Sequence, residues 1–297
     1  MSAGPELHQS LPGGPLTPEP GSRRSRILAP LQAEGARGVA IAVVSTIVFF
    51  AVVVIAILNS SGWPQIKQQF FNGAIFADAF PKILRQFGTN VFIFVVAEVI
   101  VVVWALVLAV LRSLTGPVFF PLRLLASGYI DVMRGLPTIL VILLLGFGAP
   151  ALEIKGLPDS KVFWAIVALS LVYSAYVAEV YRAGIESVHP SQVASARALG
   201  LTRRKTLRFV VLPQAVRRVL PPLLNDFIGL QKDSALVSTL GVIEGLRQAQ
   251  INQSEFFNFT PFVALALIYV VMTIPQARLV DWLVARDRHR RQAAAGV

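Results

Sequence analysis

Apolar residues in this chain gather into long unbroken runs and do not alternate with polar ones. Six runs of about 20 residues are separated by polar segments, and they cover 39–58, 91–111, 129–149, 162–181, 219–243 and 262–284. A helix needs roughly 20 apolar residues to cross a hydrocarbon layer about 30 Å thick. Because backbone groups in lipid must satisfy their own hydrogen bonds, each run is predicted to be a helix. The pattern predicts an all-α, polytopic membrane protein with about six transmembrane helices.

The ends of the chain differ from these runs. Residues 1–38 are rich in proline, glycine, serine and arginine, and they are predicted to be a disordered tail because they hold too little apolar surface to offset the entropy of ordering. Residues 286–297 form a second, basic tail. The run 39–58 fits either a signal peptide or a retained helix. The long tail ahead of it and the lack of a clear small-residue cleavage site favour a retained helix.

The distribution of lysine and arginine predicts the orientation. With the N-terminus in the cytoplasm, the inner segments hold 20 of these residues and the outer segments hold six. Since cytoplasmic loops are enriched in positive charge, both termini and the connection 182–218 are predicted to be cytoplasmic, and 59–87 to be an extracytoplasmic connection. The net charge of +11 therefore reflects topology, because the basic residues flank apolar runs and form no nucleic-acid-binding stripe.

Composition excludes several kinds of site. The chain has no cysteine, so a disulfide framework, a thiolate metal site and a cysteine nucleophile are excluded. Two of its three histidines lie in the terminal tails, so no metal site is expected. No glycine-rich phosphate loop ending in Gly-Lys-Ser/Thr occurs. We predict that the chain is not an enzyme, binds no cofactor, and leaves any use of ATP and Mg²⁺ to a partner.

The connection 182–218 has the pattern of two short helices joined by a turn. Ser191 is the predicted N-cap of the first helix, and Gly200 is suited to end it in the left-handed conformation. Thr202 is the predicted N-cap of the second, and Pro213 suits the first turn of the next helix. On physical grounds this element fits a docking site for a cytoplasmic partner and an interfacial helix on lipid headgroups equally well.

Residues 178–248 resemble the permeases of the polar amino-acid uptake family of ATP-binding-cassette (ABC) importers, which serve His, Glu, Gln, Arg and opine substrates. In that family, Glu-Ala-Ala, three residues, Gly and a distal Ile-x-Leu-Pro form coupling helices that insert into a groove of the ATPase. The resemblance places coupling helices at about 190–211 and assigns coupling to Ser191, Ala194, Ser195, Ala196, Gly200, Leu201, Leu212 and Pro213.

The chain departs from the family motif at two positions: Ala194 replaces the Glu and Ser195 replaces the first Ala. A Glu three residues after Ser191 would complete a capping box, so Ala194 is predicted to weaken the start of the helix by about 0.5–1 kcal/mol. The weakened motif also suggests pairing with a non-identical permease that carries the better one, although a homodimer stays open.

Further motifs extend the resemblance to about 88–285, predicted to be a type I ABC importer transmembrane domain. Residues 129–137 resemble Ile-Glu-Val-x-Arg-Gly-Thr-Pro, and residues 232–239 resemble Lys-Asp-Thr-Ser-Leu. Family members usually need only five helices, so the extra helix at 39–58 is expected to serve assembly or docking of the binding protein.

Several polar side chains fall inside the predicted spans, where a charge costs roughly 2.5–3.5 kcal/mol and therefore usually faces protein or water. They have two interpretations: a polar substrate path that holds a zwitterion, or a structural ion-pair network such as Glu98 with Lys232. The pair Glu179–Arg182 is predicted to be structural. The candidate path residues are Glu98, Asn225, Asp226, Gln231, Lys232 and Asp233.

We therefore expect the membrane subunit of an importer that carries polar or charged amino acids across the cytoplasmic membrane by alternating access. The implied partners are ABC ATPase subunits, an extracytoplasmic substrate-binding protein, a second identical or related permease and the lipid bilayer, with no nucleic acid. The rival hypotheses are an ion-coupled secondary transporter or channel, and a membrane-embedded enzyme. The membrane-embedded enzyme would need a polar cluster able to support chemistry, and the sequence offers none.

Overall fold

The computed structural model describes residues 35–294, with the side chains of residues 38–286. Within these residues the chain is helical and contains no strand, which confirms the all-α prediction. Most of the predicted disordered tail, 1–34, lies outside the described residues, as do the side chains of the basic tail beyond 286.

The chain divides into two compact units, Met1–Gln65 and Ile66–Val297. The first contains helix α1, Gly35–Leu58, which includes the predicted helix 39–58. Apolar side chains cover α1 on every side. A helix that is apolar all round belongs in a protein core or in a membrane, and the hydropathy and length of α1 suit a membrane span.

The remaining helices follow in chain order, with a 3₁₀ turn at Pro117–Phe119, π turns at Leu144–Gly148 and Leu207–Val211, and a 3₁₀ segment at Ser234–Leu240. They are α2 (Trp63–Phe70), α3 (Gly73–Ser113), α4 (Phe120–Gly135), α5 (Thr138–Leu143), α6 (Ala149–Ala151), α7 (Lys161–Glu186), α8 (Pro190–Ala198), α9 (Arg203–Thr206), α10 (Leu212–Asp233), α11 (Gly245–Phe256) and α12 (Thr260–Ala294).

Fewer helices than the six predicted are long and apolar enough to cross a membrane. Within the described residues there are four, and a fifth if one bent pair forms a single span. The four are Gly38–Leu58, Trp63–Ser113, Lys161–Glu186 and Thr260–Arg286. Three of them contain the predicted runs at 39–58, 162–181 and 262–284. The predicted run at 91–111 forms the last part of the remaining one, Trp63–Ser113.

The segment expected to be a connection, 59–87, is itself largely helical. It contains α2 and the first part of α3, whose N-cap Asn72 accepts hydrogen bonds from the backbone of Ala74 and Ile75. Pro81 lies inside α3 without ending it. The helix therefore runs without a break through residue 88, where the transmembrane domain was expected to begin.

The predicted helix over 129–149 is not continuous, because the chain bends by 104° between α4 and the segment that begins with α5. Proline lacks a backbone donor and disfavours helical geometry in the residue before it. Leu136, which precedes Pro137, accordingly adopts an extended conformation (φ −94°, ψ 137°). The apolar run continues across the bend, so hydropathy alone conceals it.

The predicted span 219–243 corresponds to α10 and the 3₁₀ segment after it, and neither qualifies as an apolar span. Arg217, Arg218, Asp226, Lys232 and Asp233 make this helix strongly amphipathic. It begins at Leu212, seven residues before the apolar run 219–243, and the left-handed Gly241 follows the 3₁₀ segment.

Two apolar clusters hold the second unit together. The larger one packs α3, α4, α5 and α10 around α7, whose central residues Ala168, Leu169 and Val172 are fully buried. The smaller one joins the first part of α3 to α11 and α12. The segment between α7 and α10 therefore connects two helices that pack on one core.

Candidate functional site

The first short helix of the connection begins two residues earlier than predicted. The N-cap of α8 is His189, whose Nδ1 accepts a hydrogen bond from the Ser191 backbone N–H (3.2 Å) and lies 2.7 Å from its hydroxyl. Pro190 occupies the first turn, where its missing N–H is no loss. The prediction of Ser191 as the cap is therefore wrong, because the proline moves the helix start upstream.

The capping explanation for Ala194 is wrong for the same reason. A capping box needs its acidic residue at the third helical position, and counting from Pro190 that position is Gln192. Ala194 lies further inside α8 with its side chain exposed. The replacement of the family's Glu therefore changes the surface of the helix and leaves the cap of α8 intact.

The turn after α8 is a Schellman motif. Gly200 is left-handed (φ +81°), as predicted, and its N–H donates to the Arg197 carbonyl (3.0 Å). The Leu201 N–H donates to the Ala196 carbonyl (3.2 Å), which completes the motif. A Cβ at Gly200 would have nothing within 4 Å, so this position faces away from the rest of the chain.

The second short helix is continuous with α10. Thr202 is its N-cap, as predicted, and its hydroxyl accepts from the Lys205 N–H (3.4 Å). A π turn at Leu207–Val211 then carries the chain into α10 without a break. Leu212 and Pro213 therefore belong to a continuous helical rod and not to the start of a separate helix.

The two short helices present a small-residue and apolar surface that carries only positive charge. Residues 187–225 contain seven Lys or Arg and no Asp or Glu. Leu199, at the turn, is 84% exposed. Of the predicted coupling residues only Ala196 is buried and Leu201 half-buried. The exposed ones are Ser191, Ala194, Ser195, Gly200, Leu212 and Pro213.

A charge cluster lies at the end of α7 that leads into this loop. The predicted Glu179–Arg182 pair is confirmed, and Arg182 also pairs with Glu186. Arg112 of α3 joins through an Nη1–Oε2 contact of 2.7 Å with Glu179. Sequence spacing revealed the local pair but not Arg112, which is 67 residues away. A cavity of about 250 Å³ adjoins the cluster, lined by Ala109, Arg112, Ser113, Arg182, Ile185 and Glu186.

Three of the six candidate path residues lie in one region. Asp226 and Asp233 share a face of α10, as predicted, and Gly229 between them brings that helix close to Tyr173 of α7. The Tyr173 hydroxyl donates to Asp233 Oδ2 (2.9 Å). Glu98 of α3 is half-buried and lies close enough to Asp226 for the two carboxylates to interact.

The other three candidates lie apart from this region. Asn225 and Lys232 are exposed on a neighbouring face of α10, whereas Gln231 is buried with no hydrogen-bond partner for either amide atom. The proposed Glu98–Lys232 ion pair is wrong. The ion pairs of the described side chains involve neither residue, and Glu98 has Asp226 as its charged neighbour.

A buried polar network joins α3, the 3₁₀ segment and α11. Asn90 Nδ2 donates to the Ser234 hydroxyl (3.2 Å), and its Oδ1 accepts from the Gly245 N–H (2.9 Å). Glu244 is fully buried and caps α11 with both carboxylate oxygens. The sequence analysis missed this network because its members are up to 155 residues apart.

Comparison with known proteins identifies the family. Residues 113–289, more than half of the chain, match the family model described as the inner membrane component of binding-protein-dependent transport systems. The chain belongs to this family. Its membership sets aside the secondary-transporter, channel and enzyme hypotheses, and the membrane location and the predicted ABC importer family are confirmed.

The alignments of this permease with its relatives extend over most of the length of each relative. The probable amino-acid permease protein YxeN of Bacillus subtilis is 33% identical over 204 residues, which are 68% of this chain and 90% of the relative. The probable glutamine ABC transporter permease protein GlnM of the same organism is 32% identical over 218 residues, 72% and 97% of the two chains. The glutamate/aspartate import permease protein GltK of Escherichia coli is 30% identical over 222 residues, 73% and 98%.

Solved structures agree with the family. A chain from an amino acid ABC transporter crystallised with histidines is 35% identical, with a TM-score of 0.64 over 69% of this permease and 94% of that chain. An inward-facing MetNI methionine ABC transporter shares the fold at 18% identity, with a TM-score of 0.52 over 68% and 95%. The permease therefore has the fold of an ABC importer transmembrane domain.

Proposed function

We propose that this permease imports polar or charged amino acids with energy supplied by a separate ATPase that grips the loop containing α8 and α9. The observation that carries the proposal is the form of this loop: a capped helix, a Schellman turn and an exposed Leu199 between two helices of the main core. Leu199 is joined by exposed Leu207, Phe209 and Leu212 in the same segment, and exposed apolar surface of this kind marks a binding site for a protein or a membrane when the side chains form one patch.

Two kinds of observation support amino acids as the class of substrate: the names of the relatives and the polar side chains of the permease. Relatives that cover most of their length are named for amino acids, glutamine and glutamate/aspartate. Within the permease, Asp226 and Asp233 of α10 place carboxylates near Tyr173 of α7, and Glu98 of α3 lies near Asp226 and Tyr181. Polar groups at such positions are expected to face a path that holds a charged substrate group. Asn225, Gln231 and Lys232 are proposed to join the path from α10.

The transport cycle is proposed to be alternating access. The partner ATPase would bind ATP and Mg²⁺, since this chain has no phosphate loop, and its closure would move the coupling loop. Because the rod of α9, the π turn and α10 is continuous, movement at the loop reaches Asp226 and Asp233 through one helix. Such coupling requires the ATPase to bind two states of the permease with different affinity.

The proposed assembly places both termini and the coupling loop in the cytoplasm, in line with the excess of positive charge there. An extracytoplasmic binding protein would deliver substrate on the other side. A second permease, identical or related, would complete the path, and the departures at Ala194 and Ser195 favour a related one.

Substitution of Gly200 tests the docking assignment. Asp and Asn have similar size, and both tolerate the left-handed conformation better than most residues, so Gly200→Asn serves as the control for Gly200→Asp. A new Asp side chain at this exposed turn is expected to face the ATPase groove. We expect Gly200→Asp to lose the co-purified ATPase subunit and amino-acid uptake by roughly tenfold or more relative to Gly200→Asn. Equal ATPase binding and uptake by both variants and the unaltered permease would show that the assignment is wrong.

A further inference from the structure

The two helices that carry the coupling loop approach each other most closely where the loop begins. Gly184 lies in the last turn of α7 and is buried against α10. A Cβ added at Gly184 would overlap Val219 Cγ2 far inside van der Waals contact and would lie 3.3 Å from the Ala215 carbonyl oxygen. Glycine is therefore required for this approach, as small residues are at close helix crossings in membranes.

A hydrogen bond closes the same junction from the loop side. The Arg218 guanidinium donates to the backbone carbonyl of Ser187, the residue that follows α7. The next residue, Val188, is buried. Gly184 and Ser187 on one side therefore meet Arg218 and Val219 on the other, within one helical turn each.

We propose that Gly184 and Val219 form a positioning clamp that makes α7, the coupling loop and α10 move as one body. This inference rests on the proposed coupling function of the loop. If the two helices could separate at this point, a displacement of the loop would be absorbed locally. With the clamp closed, the displacement is transmitted along α10 toward Asp226 and Asp233.

The clamp predicts that Gly184→Ala uncouples ATP hydrolysis from amino-acid uptake. The complex with the ATPase subunit and binding protein is reconstituted in liposomes. ATP hydrolysis is measured with uptake of whichever labelled amino acid among arginine, glutamine and glutamate the unaltered complex carries fastest. We expect normal ATPase attachment and a rise of roughly tenfold in ATP hydrolysed per amino acid imported. The control is Gly128→Ala in α4, where a Cβ meets nothing within 4 Å.

A second substitution tests the contact itself. Val219→Ala removes the methyl groups that the new Cβ would overlap, so Gly184→Ala/Val219→Ala is expected to regain most of the coupled uptake. Val219→Ala alone loosens the clamp without overlap and should raise the ATP used per amino acid about twofold, even if Gly184→Ala does not accumulate.

The outcomes distinguish the clamp from the proposed function. If Gly184→Ala behaves like Gly128→Ala, if the double variant is not rescued, or if Val219→Ala matches the unaltered permease, the clamp is wrong. If the unaltered permease neither binds an ATPase subunit nor imports an amino acid, the proposed function fails before the clamp is tested.

Discussion

Glu244 leads to a prediction about pH. Its carboxylate oxygens accept from the backbone N–H groups of Leu246 (2.9 Å) and Arg247 (2.8 Å), and burial raises the pKa of Glu244 above its ordinary value. The folded protein therefore holds this proton more tightly than the unfolded chain does. The Glu244 contribution to stability should fall as the pH rises from about 4.3, the unfolded pKa, until the folded pKa is passed.

Melting temperatures in detergent across this pH range test the prediction. Glu244→Gln, which keeps one acceptor and cannot ionise, should remove this part of the pH dependence. Glu244→Ala, which removes the cap and also cannot ionise, should be less stable than Glu244→Gln by about 1 kcal/mol at every pH. An unchanged pH dependence in Glu244→Gln would contradict the assignment.

The side chains that the sequence predicted correctly depend on near neighbours along the chain. The left-handed Gly200, the Thr202 cap and the Glu179–Arg182 pair are of this kind. Arg112 and Asn90 were not predictable, because their partners come from distant helices. The predicted Ser191 cap was wrong for a different reason: Pro190 suits the first turn of the helix, which makes His189 the N-cap.

At the scale of elements, hydropathy located the long helices better than their ends and bends. The central run 162–181 lies within α7 because uniform apolar composition and burial agree there. The bend at Leu136–Pro137 is a local backbone effect inside a continuous apolar run, so the periodicity could not show it. The helical start of α3 was missed because Asp78, Lys82 and Arg85 lower the hydropathy of a helix that packs through one face.

The structure of α8 predicts the effect of restoring the family residue in Ala194→Glu. Because position 194 lies beyond the cap and is exposed, the melting temperature of the permease should not change measurably. The added carboxylate should instead strengthen binding of the ATPase subunit by a few-fold, through roughly 0.5–1.5 kcal/mol of new hydrogen bonding. Titration with the ATPase subunit measures its affinity for the unaltered permease and for Ala194→Glu, each in nanodiscs. A rise in melting temperature without tighter binding would instead support a capping role.

At the scale of the whole molecule, the sequence identified the class because membrane insertion and charge asymmetry act over long segments. The number of spans was harder to predict. Amphipathic α10 combines a polar face with a core-packing face, so it is not one of the helices that are long and apolar enough to cross a membrane, although the sequence predicted a span at 219–243. The proposed substrate path is the least predictable part, since its carboxylates come from separate helices.

The central claim is that the loop of α8 and α9 lies in the cytoplasm, where an ATPase can reach it. The chain has no native cysteine, so Leu199→Cys and Phe257→Cys provide single labelling sites. These positions form a matched pair, because their side chains are 84% and 83% exposed. They are expected on opposite sides of the membrane. In intact cells a membrane-impermeant maleimide should label position 257 and leave position 199 unlabelled until the cells are lysed. Labelling of position 199 in intact cells would contradict the account.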